Sequence, residues 1–361
     1  MPAIHQFVAG FNRGDAISNE ALVLRGIFRS WGFESDIFSE ARRILPELRR
    51  EARDVAEAGA ACGPGDLAFL HLSIGSDVND AFAALRGRKA LLYHNITPPQ
   101  YFRGVQDETA SRLERGLRQA AALAGRVGVA LADSAFNARE LEQAGFRGVR
   151  VLPLLLDLSP LRRKPDGRIL RRAGDGLVNA LFVGRAAPNK RIEDALCAFH
   201  YFQRYVEPNS RFIHVGSFAG GERYYGLLQS FARKLELQNV WLNGPARPDE
   251  LAAFYRSASL FLCMSEHEGF CIPILECMAL DVPVIAYAAA AVPETMDGAG
   301  ILFREKRYDV IAEILGLVAR DARVREAVLA GQRARVARFE RRDLESELRG
   351  HLQPLLGGRP P

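Results

Sequence analysis

The chain has 361 residues, 48% of them apolar, and carries 48 basic against 43 acidic side chains. That length buries a large core and favours two domains over one, while so mild a basic excess, with no aromatic-studded basic motif beside it, gives no case for nucleic acid. Five cysteines without CxxC spacing argue against a disulfide framework or a zinc site, and no uninterrupted apolar stretch reaches the length of a membrane span, so a cytoplasmic protein with neither leader nor span is expected.

Short apolar runs alternate with longer segments of helical periodicity, the pattern of βα units around parallel sheets. In chain order the first half predicts strands over 4–9, 34–38, 67–72, 90–94, 127–132 and 149–154, with helices over 16–30, 108–124 and 135–144, the last capped by Ser134. Residues 158–176, rich in Pro, Gly and Arg, read as a linker and surface turn. A second series follows, with strands over 178–183, 211–215, 240–242, 260–264, 282–286 and 300–303 and helices over 192–206, 223–237, 249–257 and 272–279. From 309 the chain reads as helical to 351, with the last ten residues frayed. The expectation is an α/β protein of two tandem Rossmann-like, doubly wound domains, 1–157 and 177–340, with a ligand cleft between them and a C-terminal helix and tail, 341–361, packing back on the first.

Two stretches of the second half carry chemistry. In "LFVGRAAPNKR", Gly184 permits close backbone approach at a strand end, and Arg185, Lys190 and Arg191 lead into the next helix. A helix N-terminus with a planar guanidinium and a point-charge ammonium suits a diphosphate; solvated cations on a plain strand-to-helix turn are the alternative. No G-x-G-x-x-G accompanies it, which argues against a dinucleotide. In "EHEGFCIPILE", Pro273 suits the first turn of a helix whose stripe of Leu275, Met278 and Ala279 faces the sheet. Glu276 falls just off that stripe and suits the two hydroxyls of a ribose, Glu268 lies in the loop beside Gly269, and the amides of Phe270, Cys271 and Ile272 add donors. The alternative is that Glu266 and Glu268 are surface acids and Glu276 a helix-start acid.

The first half offers less. His94 ends a strand in "LLYHNITPP" and would face the cleft, with Pro98 and Pro99 stiffening the loop behind it. A structural histidine is the alternative. Gly14 lies beside Asp15 in "FNRGDAISNE", and Ser73 and Gly75 in "HLSIGS" end another strand on the same edge, placed on the acceptor side by topology alone. Arg42, Arg43, Arg49 and Arg50 are either a patch for an anionic membrane or a solvated helix face.

Gly184, Arg185 and Lys190, followed by "SEHEGFCIPILECMALDVPVIA" and "AAAVPETMDGAGILF", resemble the donor-binding half of a retaining glycosyltransferase of family 4 with GT-B architecture, over essentially the whole chain. The resemblance implies that Arg185 and Lys190 hold the donor diphosphate, that Glu268 with the amides of Phe270 and Cys271 holds the sugar, that Glu276 binds the ribose, and that Arg247 in "NGPARPDE" lies beside the base. It implies that His94 contacts the sugar near the reacting centre, and that the loop of Gly14 lies against sugar and phosphate. The chain departs from the family at Cys271, Cys277 and Asp281, where Gly, Ala and Gly are common.

No D-x-D triplet is present, so no metal and no cofactor are expected, and cations and dipoles would neutralise the leaving group. The wording is similar to enzymes that add mannose or related hexoses to bacterial surface polysaccharides. The expected partners are a nucleotide-sugar donor, GDP-mannose first and a UDP-hexose second, and a glycan or polyprenyl-linked glycan acceptor. A nucleotide-sugar epimerase on the same fold and an inactive nucleotide-binding protein remain as alternatives.

Overall fold

The computed structural model describes residues 3–12 and 14–356. Strands β1 (Ile4–Val8), β2 (Ile37–Ser39), β3 (Arg53–Asp54), β4 (Leu67–Leu72), β5 (Arg88–Tyr93), β6 (Val129–Ala132) and β7 (Arg150–Val151) alternate with helices α1 (Ala16–Ser30), α2 (Ala58–Ala61), α3 (Asp77–Ala84), α4 (Asp107–Leu123) and α5 (Ala135–Gln143). The strands form one seven-stranded sheet in the order β3-β2-β1-β4-β5-β6-β7, every pair parallel. Parallel strands covered on both faces need continuous apolar runs, and all six residues of β4 are buried.

The second series contains α6 (Gly167–Ala173), β8 (Val178–Val183), α7 (Ile192–Tyr201), β9 (Ser210–Val215), α8 (Glu222–Lys234), β10 (Val240–Asn243), α9 (Pro248–Ser257), β11 (Leu260–Cys263), α10 (Ile272–Ala279), β12 (Val284–Tyr287), α11 (Val292–Met296), β13 (Ile301–Phe303), α12 (Tyr308–Arg320) and α13 (Ala322–Glu340). Its sheet has six parallel strands in the order β10-β9-β8-β11-β12-β13. By contacts the chain divides into two compact units: residues to Gln100 with Glu108–Leu156 and the segment from Asp343, and Tyr101–Asp107 with Asp157–Arg342. The final helix, α14 (Leu344–Leu356), is held in the first unit, where the Trp31 indole donates to Glu345 at 2.9 Å and Arg150 to the His351 carbonyl at 3.2 Å.

Several expectations are corrected. The expected linker over 158–176 contains α6, because Asp166 caps it by accepting from the amides of Arg168 and Ile169 at 2.7 and 3.1 Å, and the amide of Asp166 in turn donates to Asp249 at 3.0 Å. The stretch expected to be helical from 309 to 351 is made of three helices: Asp321 ends α12 and caps α13, and α13 stops at Glu340 before α14 begins. Of the tail expected to fray, 352–356 are helical and 357–361 lie outside the described residues. Helices α3 and α11 and the two-residue strand β3 had no clear sequence signal.

In each sheet the winding reverses once, between β1 and β4 in the first and between β8 and β11 in the second. Loops leaving the carboxyl ends of strands on either side of such a point diverge and leave a crevice, which is where open α/β sheets bind ligands. In the second unit the crevice is kept tight by glycine. A Cβ on Gly216 would lie 1.9 Å from the Gly184 carbonyl oxygen, and that carbonyl accepts from His214 Nε2 at 2.9 Å.

Gly216→Ala is therefore expected to lower the denaturation midpoint by the equivalent of about 3 kcal/mol, as overpacking does. Gly226→Ala, at a helical site where a Cβ meets nothing within 4 Å, is the control and is expected to hold or raise it. Burial pushes the His214 imidazole down to about 4, so its neutral form stabilises the fold above the ordinary value of 6.5 and that contribution is lost as pH falls toward 4. Urea unfolding at neutral and acid pH is expected to show an acid-side loss of up to about 3 kcal/mol that His214→Gln abolishes.

Candidate functional site

The second unit sets its polar residues at the β8/β11 reversal. After β8, Gly184 has φ +158° with its carbonyl turned to His214, and Arg185 is exposed, with no hydrogen bond or ion pair among the described residues. A short 3-10 turn over Pro188–Lys190 follows, and Arg191 at φ +51° enters α7. After β11 the chain runs through Ser265 to Cys271, whose left-handed φ of +67° turns it into α10. The Asn189 side chain joins the two loops by donating to the His267 carbonyl at 2.9 Å, while the main-chain carbonyl of Asn189 accepts from the Glu266 amide at 2.9 Å.

The three carboxylates of "EHEGFCIPILE", two in the second loop and one in α10, each have a partner. Lys190 Nζ donates to Glu268 Oε2 at 2.5 Å, with only 20% and 9% of the two side chains exposed. Burial pulls the Lys190 ammonium down, but Glu268 outweighs it and leaves the group above its ordinary range. Glu266 pairs with Lys306 at 2.6 Å and Arg191 at 3.3 Å, and Lys306 and Arg191 also hold Asp194, at 2.6 and 3.1 Å. Glu266 thus belongs to a structural charge network rather than to the solvent. Glu276 accepts from the Tyr255 hydroxyl, and burial raises its carboxyl against the effect of that bond.

Helix α10 begins beside this pair. Ile274, Leu275, Cys277 and Met278 are its buried residues, and Ala279, expected in the stripe facing the sheet, is exposed. Among the described residues no backbone acceptor takes the amides of Gly269, Phe270, Cys271 or Ile272, so a helix N-terminus presents open donors one to four residues beyond Glu268, the partner of Lys190. The Phe270 carbonyl is tied down by the Thr295 hydroxyl. The left-handed φ at Cys271 and at Asp281, +67° and +56°, accounts for glycine as the family's common residue at both positions. Cys277 is a fully buried helix residue.

Arg247 does not stand free for a base. It is exposed and pairs with Glu250 at 2.9 Å, Asp249 at 3.2 Å and Asp166 at 3.8 Å, acids of its own helix start and of the cap of α6.

In the first unit Gly14 has φ +73° in the turn after β1, and Asp15 caps α1 by accepting from the Ser18 amide at 2.9 Å. Gly75 is a packing glycine, since a Cβ there would lie 2.4 Å from the Arg112 carbonyl oxygen. His94 is not the open side chain expected: only 3% of it is exposed, and its Nε2 faces His71 Nδ1 at 2.9 Å and Glu20 at 3.5 Å, while its Nδ1 lies 3.7 Å from Asp133. Arg42 and Arg43 both pair with Glu40, at 2.7 and 3.2 Å, which leaves Arg49 and Arg50 as the half of the expected basic patch whose side chains are unpaired among the described residues.

Two groups of side chains bring three ligand-type atoms within 4.8 Å of one another: Glu20, His71 and His94, and Cys263, Glu268 and Cys271. Neither has the electrostatics of a cation site. In the first, both nitrogens of His71 are engaged in hydrogen-bonding contacts, with His94 and with Gln6. In the second, the Lys190 ammonium already neutralises Glu268, and a hydrogen bond with Cys263, together with burial, holds the Cys271 thiol far above its ordinary range. Among the described residues no helix is long and apolar enough to cross a membrane.

Sequence reasoning missed Tyr255, Asn189, Lys306 and the partners of His94. Of these, Asn189 in "LFVGRAAPNKR", Glu20 at the end of "FNRGDAISNE" and His71 at the head of "HLSIGS" lay in stretches already singled out.

Residues 174–335 match the family described as "Glycosyl transferases group 1". Among curated proteins the chain is similar to the O-antigen chain mannosyltransferase B of Escherichia coli, 28% identical over 160 residues, which are 44% of this chain and 42% of that protein. It is also similar to a D-inositol 3-phosphate glycosyltransferase of Nocardiopsis dassonvillei, 31% identical over 247 residues, 64% of this chain and 56% of that protein. The chain thus spans about half the length of the curated relatives it matches. Its fold is that of Anabaena HepE, solved with UDP and glucose, at a TM-score of 0.75 and 19% identity over 98% of this chain and 100% of that one. A sucrose-phosphate synthase from Thermosynechococcus elongatus gives 0.74 and 18% over 99% and 100%. The group 1 glycosyltransferase match thus lies in the second unit, and the two parallel sheets have the GT-B fold of these solved structures.

Proposed function

We propose that the chain is a retaining, metal-independent hexosyltransferase that moves a sugar from a nucleotide-sugar donor to a glycan or lipid-linked glycan. The observation that carries this reading is the second unit's β8/β11 reversal, whose two loops carry a buried lysine–glutamate pair, an Arg185 unpaired among the described residues and the open amides of 269–272. Each has a part in donor chemistry. Arg185 and Lys190 take the diphosphate and neutralise the charge that grows on it as the glycosidic bond breaks. Glu268, with the amides of Phe270 and Cys271, orients the sugar, and Glu276, whose Oε1 lacks a hydrogen-bond partner among the described residues, accepts from the ribose hydroxyls. The acceptor oxygen attacks the face the leaving group vacates, with no covalent nucleophile required.

The donor follows from the relatives in outline only. The E. coli relative is named as a mannosyltransferase and Anabaena HepE was solved with UDP and glucose, so GDP-mannose is the first donor to test and a UDP-hexose the second. Association with an anionic membrane, if it occurs through the basic turn, would rest on Arg49 and Arg50, since Arg42 and Arg43 share Glu40.

The test is turnover. Glu276→Ala is expected to raise the donor KM by roughly ten- to a hundred-fold, the loss of a charged hydrogen-bond partner, and a change under about twofold removes Glu276 from the site. Transfer is expected to continue in EDTA; strict dependence on added magnesium or manganese would overturn the metal-independent reading.

A further inference from the structure

The first unit contains a buried polar chain that the donor site does not use, and it lies at that unit's own reversal point, between β1 and β4. Its members come from separate elements: Gln6 on β1, Glu20 on α1, His71 on β4, His94 after β5 and Asp133 after β6. The direction of each hydrogen bond follows from chemistry. Gln6 Nε2 donates to the Ala21 carbonyl at 2.9 Å, which fixes the amide and turns its Oε1 to His71 Nε2 at 3.0 Å. An amide oxygen only accepts, so His71 carries its proton on Nε2. Burial, and the neighbouring His94, hold His71 well below its ordinary range, so it stays neutral and its Nδ1 accepts. The only hydrogen available at the 2.9 Å contact is then the one on His94 Nε2.

That assignment has a consequence at the other nitrogen. His94 Nδ1 is buried without a hydrogen-bond partner and faces Asp133 at 3.7 Å, and Glu20 Oε2, also buried and unpartnered, lies 3.5 Å from Nε2. A neutral His94 with its proton on Nε2 would point a lone pair at a carboxylate, whereas a second proton on Nδ1 turns that repulsion into attraction. We propose that Gln6 and His71 are positioning residues that fix His94 as an Nε2–H donor, and that Glu20 and Asp133 keep it doubly protonated. The first unit thereby holds a buried positive charge at the carboxyl end of its sheet, where an anionic or electron-rich ligand group is favoured.

Burial alone would push the His94 imidazole down, but Asp133 and Glu20, with a smaller contribution from Asp15, bring it above its ordinary value. Burial in turn raises the Glu20 carboxyl to about 7, opposed by His94 and by the Leu155 amide it accepts from at 3.1 Å. The titratable groups facing His94 are thus Glu20, His71, Asp133 and Asp15. The charge is present below the elevated His94 value and is lost as pH rises through it.

The charge assignment stands apart from the proposed transfer; its effect on turnover rests on that reading. Nitrogen-15 NMR of the histidine rings in the full-length protein, with the His94 signal identified by His94→Gln, reads the protonation directly. The expected result is two protonated nitrogens on His94 at neutral pH and a titration midpoint above that of free imidazole, lowered by Gln6→Leu and by Glu20→Gln. Asp133→Asn serves if either variant fails to fold. A single proton on His94 at neutral pH, or a midpoint that these substitutions leave in place, overturns the proposal. In turnover, kcat is expected to fall above the His94 midpoint, and Glu20→Gln to move that limb to lower pH while the donor KM holds. A kcat flat across the NMR midpoint overturns the positioning role, whereas absence of any transfer overturns the proposed function and leaves the NMR assignment to be judged by itself.

Discussion

The buried pair of Lys190 and Glu268 constrains the second unit more than any other contact. Removing two charges from water costs several kcal/mol per ion, and a single contact at 2.5 Å offsets that cost only in part. A chain selected for stability alone would place apolar side chains there. This one instead holds an ammonium and a carboxylate ready at the point where the sheet reverses, with two loops bent to meet them. The bends are visible as strain: Arg191 and Cys271 both adopt left-handed backbone, one at the entry to each helix.

The remaining features of the crevice follow from that placement. Asn189 ties the two loops together, so the lysine and the glutamate cannot drift apart independently. The close approach of Gly216 to Gly184 fixes where the first loop begins. Glu266 sits only two residues from Glu268, but its Oε1 is bonded to Lys306 and Arg191, contacts that stiffen the base of α7. On the proposed reading, neighbouring acids of one short stretch are divided between framework and chemistry by which cation each reaches.

Much of this was legible in the sequence and some was not. Alternating apolar runs gave both parallel sheets, because a strand buried on two faces admits little else. The spacing of Glu268 and Glu276 around Pro273 located the start of α10. The partners were out of reach: Tyr255 lies 21 residues before Glu276, and Lys306 lies 40 from Glu266, and only the strand order brings them together. His94 was picked out, yet its burial was not, because Gln6, Glu20, His71 and Asp133 converge on it from other elements. The Pro- and Gly-rich stretch after 158 was misread since composition hides a cap: Asp166 satisfies two amides and starts a helix that few apolar residues announce.

The central claim is that the Lys190–Glu268 pair is a divided donor site, with the ammonium for phosphate and the carboxylate for sugar. Calorimetric titration of UDP and GDP into the wild type, Lys190→Met and Glu268→Gln tests it most directly. The account predicts that Lys190→Met weakens the preferred nucleotide by about tenfold or more, while Glu268→Gln, which frees the ammonium, binds it as tightly as the wild type or more so. Unchanged binding by Lys190→Met would contradict it and make the pair a framework contact, as Glu266 and Lys306 already are.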